Sequence, residues 1–115
     1  MAKTIAAVST GNAAGGIGVI RISGDSAVQT AAKVFSAADG TPLTEVEGYR
    51  AKFGRILSGG EPIDEAVALV FRAPKSYTGE DVVELSVHGG LFIVQKTLEA
   101  VYDLSLIHIS EPTRH

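Results

Sequence analysis

Cysteine and tryptophan are both absent from this 115-residue chain. Without cysteine there is no disulfide framework, no thiolate nucleophile and no cysteine-ligated zinc, and the composition fits a reducing compartment. Positive charge is also scarce: 10 Lys and Arg stand against 13 Asp and Glu, a formal net charge of −3. Neutralising phosphates takes clustered cations, so the chain has no electrostatic footprint for binding nucleic acid unaided. A membrane helix needs about 18 or more consecutive apolar residues, and no such run occurs. The first ten residues, MAKTIAAVST, hold one lysine and too short an apolar stretch for a signal peptide, so a cytoplasmic location is expected. What the chain does have is 45% hydrophobic and 20% charged residues. That suits one globular domain burying roughly 65% of its unfolded surface.

Strand-like and helix-like segments alternate. Residues 4–9 (TIAAVS) and 17–23 (IGVIRIS) read as strands on either side of a glycine-rich loop. A helix follows, capped by Ser23 or Asp25, in which Ala27, Val28, Ala31, Val34 and Phe35 recur at the helical period before ADGTP ends it. Residues 49–57 and 64–72 read as strands joined by SGGEP, and the near-continuous apolar run of the second predicts burial on both faces. VVELSVH (82–88) alternates, with Val83, Leu85 and Val87 on one side and Val82, Glu84, Ser86 and His88 on the other. A second helix runs from 91 to about 103 with Leu91, Val94, Leu98, Val101 and Tyr102 as its apolar stripe. The order ββαβββα, with at least one hairpin, predicts an α+β two-layer sandwich: a mixed or antiparallel sheet with two helices.

The last residues, LSLIHISEPTRH (104–115), break the helical period without a turn residue. Two readings fit: a short final strand, or a translated sequencing adapter, which the string closely resembles. On the second, the domain is 1–103, 104–115 is a tail foreign to it, and His108 and His115 fall outside any metal cluster.

The loop GNAAGGIGVIRISG (11–24) contains five glycines. A P-loop requires Lys and Ser or Thr after the second glycine, where Ile17 and Gly18 stand. A dinucleotide fingerprint requires a third glycine where Arg21 stands, and a helix where a strand follows. Neither phosphate motif is present, and glycines that permit positive φ or close strand approach explain the loop structurally.

Arg21 and Glu84 each break an otherwise apolar ribbon. An ion among β-branched residues faces water or finds a partner, because an unpaired buried charge is very costly. Separate exposure is one reading. The other is a shared polar pocket in which arginine clamps a carboxylate or carbonyl and glutamate accepts hydrogen bonds from an amino-substituted heterocycle such as a pterin. His88, before the Gly89–Gly90 pair, is either a turn residue or a weaker member of that pocket. Glu80 and Asp81 read as solvated charges beside a strand. No nucleophile, base and orienter form a catalytic set, and no metal cluster is visible.

TIAAVSTGNAAGGIGVIRISG, DEAVALVFRAPKSYTGEDVVELSVHGG and the start of the following helix closely resemble the N-terminal domain of the MnmE/TrmE family of tRNA modification GTPases, over about residues 3–103. The resemblance implies an α+β domain similar to the tetrahydrofolate-binding part of the glycine cleavage T-protein, forming a homodimer and binding 5-formyltetrahydrofolate or another tetrahydrofolate. The family's folate-contacting arginine falls on Arg21 and its glutamate on Glu84. Gly15, Gly16, Gly18, Gly89 and Gly90 would shape the site. Many members have PPGRGG where this chain has GNAAGG, so a basic loop residue is missing. A further basic folate contact lies beyond the point where the chain departs from the family.

Family members continue into a helical domain, a GTPase domain using GTP, magnesium and potassium, and a C-terminal cysteine motif. With the flavoprotein MnmG (GidA) they modify the wobble uridine of certain tRNAs. That activity is not expected of this chain, which reads as a binding and assembly fragment. The alternatives are a purely structural dimerisation fragment and, less well supported, an aminomethyltransferase-like enzyme.

Overall fold

The computed structural model describes residues 5–10, 17–73, 79–88, 90–102 and 108–109. Its elements are β1 (Ile5–Thr10), β2 (Gly18–Ser23), α1 (Ala27–Val34), β3 (Phe35–Ala37), one 3-10 turn (Leu43–Glu45), β4 (Arg50–Ser58), β5 (Glu61–Phe71), β6 (Val82–Val87), α2 (Gly90–Tyr102) and β7 (His108–Ile109). Setting aside the short strands β3 and β7, this is the expected ββαβββα order. All the strands join one sheet in the order β3-β4-β5-β6-β2-β1-β7, antiparallel except where β7 meets β1. Both helices pack on one face, giving an α+β two-layer sandwich.

The core lies between the layers. Ile20 and Ile22 of β2, Ala66, Ala68 and Val70 of β5, and Val83, Leu85 and Val87 of β6 are fully buried. They meet Val28 and Ala31 of α1 and Val94 and Val101 of α2 within one hydrophobic cluster. Fully burying an Ile or Leu side chain contributes about 1.5–3 kcal/mol, so this layer supplies most of the favourable free energy.

Three local expectations change. Phe35 is the first residue of β3, with extended backbone (φ −139, ψ 135), and does not belong to the helix. It is buried all the same, and a side chain that reaches the core in either conformation carries no information about period. The position capping α1 is held by Ser26, which makes no side-chain capping bond, and not by Ser23 or Asp25. The β4–β5 connection is only Gly59–Gly60, at φ 61 and 86, the paired positive angles that the tightest hairpin turns demand. The strands therefore run through Ser58 and Pro62, with a register shift after Ile56 next to the pairing of Leu57 with Pro62. Proline is tolerated in a strand at such an irregularity.

The expected burial of β5 on both faces also fails. Ala66, Ala68 and Val70 are buried, but Val67 is 38% exposed, and Phe53 opposite it on β4 is 52% exposed. Two helices cover only one side of the sheet, so the apolar residues of the other side meet water.

Asp81 is not the loosely solvated charge expected. Its carboxylate accepts the Ala73 N–H at 2.9 Å and the Arg72 guanidinium at 3.4 Å, and its carbonyl accepts the Gly24 N–H at 3.0 Å. Arg72 also donates to the carbonyls of Thr44 (2.8 Å) and Val46 (3.3 Å), fastening the 3-10 turn to the end of β5.

At Gly54, paired with Ala37, β4 leaves no room for a side chain beside β3. A Cβ there would collide with the carbonyl oxygen of Ser36 and lie 2.8 Å from Ala37 Cα and Phe35 Cζ. Backbone cannot move aside cheaply, so Gly54→Ala is expected to cost about 2 kcal/mol and to lower the thermal midpoint by roughly 10 °C, as read by circular dichroism. At the same corner Lys52 Nζ donates to Asp39 Oδ2 at 2.6 Å and the Thr41 N–H to Oδ1 at 2.9 Å. These bonds lower the Asp39 pKa from its ordinary 3.8 to about 2. A carboxylate depressed in the folded state stabilises it above the unfolded value and loses that contribution as pH falls through the folded one. Carboxyl NMR is expected to show Asp39 titrating near pH 2, and Lys52→Met to move that midpoint up towards 3.8.

Candidate ligand site on the open sheet face

β2 and β6 pair antiparallel, with Arg21 directly opposite Glu84. Alternation sends both to the face away from the helices, since Ile20 and Ile22 on one strand and Val83 and Leu85 on the other point into the core. The guanidinium donates twice to a single carboxylate oxygen, from Nε to Glu84 Oε2 at 3.1 Å and from Nη2 to the same atom at 2.7 Å. The side chains are 37% and 19% exposed, so the ion pair is partly shielded. Glu84 Oε1 has no hydrogen-bond partner among the described residues.

The surroundings are apolar on the β5 side. Leu69 stands opposite Glu84 and Ala51 opposite Leu69. The next row on the same face is Phe53, Val67, Ser86 and Val19. Beyond Leu69, the ring of Tyr49 packs edge-on against Phe71 with centroids 5.6 Å apart. Tyr49 holds φ at 63, an uncommon left-handed conformation for a residue other than glycine. A shielded ion pair beside an apolar strip offers a ligand one charged acceptor, one cation and a flat surface on which to lie.

The other sequence-derived residues are placed differently. His88 is exposed, just past β6, and its backbone N–H donates to Asp64 Oδ2 at 2.8 Å. Gly18 opens β2 on the helix side: a Cβ there would collide with Val94 Cγ2, so its absence lets α2 settle on the sheet. Gly90 is the first residue of α2, at φ 71 with open space around it. Gly15, Gly16 and Gly89 lie outside the described residues. The pair Arg21–Glu84 is thus brought together, and Gly18 is set on the opposite face by strand parity.

Depressions of about 290 and 320 Å³ flank β4, the first lined by Thr41, Glu45 and Arg50 among others and the second by Ser36, Phe53 and Glu65 among others. Neither is lined by Arg21, Glu84 or His88. No group of three or more His, Cys, Asp or Glu suited to a metal occurs among the described residues, and no helix there is long and apolar enough to cross a membrane. The exposed strip of Phe53 and Val67 was not anticipated. Its signal was present in the unbroken apolar run of β5, while the two helices of the described residues pack on one face.

Residues 4–113 match the family described as GTP-binding protein TrmE N-terminus. The chain belongs to the TrmE N-terminal family. It is 50% identical over 98 residues to a tRNA modification GTPase MnmE of Symbiobacterium thermophilum, covering 84% of this chain and 21% of that protein. It is 42% identical over 114 residues to the MnmE of Carboxydothermus hydrogenoformans, covering 97% of this chain and 24% of the relative. With the MnmE of Clostridioides difficile it shares 38% identity over 113 residues, covering 96% and 25%. The chain therefore corresponds to the N-terminal domain of MnmE tRNA modification GTPases and spans about a quarter or less of the length of these relatives.

A partly exposed ion pair contributes little to folding, because solvent screens it and two long side chains are ordered to make it. A double-mutant cycle of Arg21→Ala and Glu84→Ala, followed by denaturant unfolding, is expected to give a coupling of about 0.5–1 kcal/mol.

Proposed function

We propose that this TrmE N-terminal domain binds a reduced folate, 5-formyltetrahydrofolate or a close relative, on the open sheet face, and that it is a binding and dimerisation module of a tRNA-modifying GTPase. The observation that supports the reading best is the Arg21–Glu84 pair: a shielded carboxylate with one uncommitted oxygen, bordered by Leu69, on the face the helices leave open. A reduced pterin ring carries adjacent N–H donors that suit such a carboxylate, and an apolar flank that suits the strip around Leu69 and Val67. Hydrogen bonds to a charged partner are roughly twice as strong as neutral ones, so this contact would dominate orientation.

GTP hydrolysis, with its magnesium and potassium, belongs on this reading to the remainder of the parent protein. The same holds for the encounter with tRNA and with the flavoprotein MnmG (GidA). Nothing in the described residues supplies a phosphate cradle, and the chain's net charge of −3 does not favour RNA. Work on tRNA in a reducing cell interior makes a cytoplasmic setting part of the proposal.

A second reading rests on the exposed Phe53 and Val67, 52% and 38% accessible side by side on neighbouring strands. Apolar groups clustered on an open sheet face suit contact with a second copy of the chain. A purely structural dimerisation fragment follows if that face is covered by protein instead of ligand.

Titration calorimetry with 5-formyltetrahydrofolate is expected to show binding that Glu84→Ala weakens about tenfold or more. Sedimentation equilibrium is expected to show a dimer that Val67→Glu dissociates. Dimerisation without any heat of folate binding would select the structural reading, and neither behaviour would overturn both.

A further inference from the structure

We propose that the outer edge of β1 is a strand-acceptor site: it takes an extended, uncharged segment running parallel to β1, and its occupant in an MnmE-length protein is the stretch of polypeptide immediately downstream of α2. In this chain β7 holds that place over two residue pairs only.

The sequence of β1 points to a covered edge. Native sheets blunt an open edge with charge, proline or brevity, because its row of N–H and C=O groups otherwise pairs with other strands. β1 (IAAVST) has neither charge nor proline over six residues, whereas the strand at the opposite edge, β3, is only three residues long. On one side β1 pairs with β2 from Ile5 to Val8 before its register shifts. On the other, among the described residues, β7 pairs with Ile5 and Ala6 alone.

The topology selects the occupant. β6 and β1 are both antiparallel to β2, so they are parallel to each other, and β7 is parallel to β1. A parallel connection needs a crossover of a dozen or more residues, usually a helix. α2, 13 residues long, follows β6, packs against β2 and β1 and ends at Tyr102, so the segment after it is delivered to the β1 edge. The chain covers 21% and 24% of two of its MnmE relatives, as their N-terminal domain, so each of them carries such a segment.

The tail of this chain suits the edge poorly. Extending the register beyond Ala6 opposite Ile109 would bring Glu111 to the face on which Ala6 is fully buried, and then Pro112, which has no N–H to donate. A segment with neither charge nor proline at those positions would pair over more of the edge. In strand addition of this kind the backbone bonds supply affinity and alternate side chains supply selectivity.

The test uses the full 115-residue chain, followed by amide NMR, and a short synthetic peptide copying the Symbiobacterium thermophilum MnmE immediately after the residue that aligns with Tyr102. The peptide is expected to shift the amides of β1 and to remove the protection of His108 and Ile109. Ile109→Pro, which weakens the resident strand, is expected to raise peptide affinity about tenfold. Ile109→Gly is the milder variant should the proline protein not fold. The same peptide, N-methylated at the alternate amides that would face β1, is expected not to bind, which separates backbone pairing from apolar adhesion.

No binding by either the unaltered chain or a folded Ile109 variant would overturn the proposal, as would shifts centred anywhere other than β1 and β7, such as Phe53 and Val67. A folded Ile109 variant that dimerises with its β1 amides protected and excludes the peptide would also overturn it, assigning the edge to a second copy of the chain.

Discussion

A slip of one residue between β2 and β6 would either turn Arg21 beneath the helices and expose Ile20 and Ile22, or turn Glu84 beneath them and expose Val83 and Leu85. Register here is set by the hydrophobic pattern of both strands at once, because their buried sets face the same helices. The pairing runs without a break from Gly18 opposite Val87 to Ser23 opposite Val82. The ion pair is a consequence of that agreement. Its own small contribution to stability would not impose it, and the apolar layer behind it does.

Glycine placement supports the same layer from both ends. At Gly18 the missing side chain lets Val94 of α2 rest on β2, and at Gly54 it lets β3 close on β4. The glycine loop before β2 thus ends in a residue whose work is on the helix side of the sheet, while the candidate site three residues later is on the other side. A glycine-rich segment next to a binding residue invites a ligand-cradle reading. Strand alternation separates the two roles.

The open face sets the character of the domain. Two helices cover one side of a sheet in which β5 is apolar on both, and Phe53, Val67, Leu69 and Tyr49 remain on the side left over. Among the described residues no element covers them. Ligand and second-copy readings both arise from this shortage, and they are compatible: a ligand at Arg21 and Glu84 would lie at one end of a strip whose other end is Phe53.

Element order, strand alternation and the identity of the two charged residues were legible in the chain alone, because each depends on periodicity over a few neighbouring residues. So was the family, carried by stretches such as SYTGEDVVELSVHGG. Local periodicity does not encode which strands are neighbours. That Arg21 stands opposite Glu84, 63 positions away, that both donors meet one oxygen, and that the second face of β5 stays open were decided only when the sheet closed in the order β4-β5-β6-β2-β1. Phe35 and Asp81 were misread for the same reason: the extended backbone of one and the ion pair of the other come from partners outside the local period, Ile56 of β4 and Arg72.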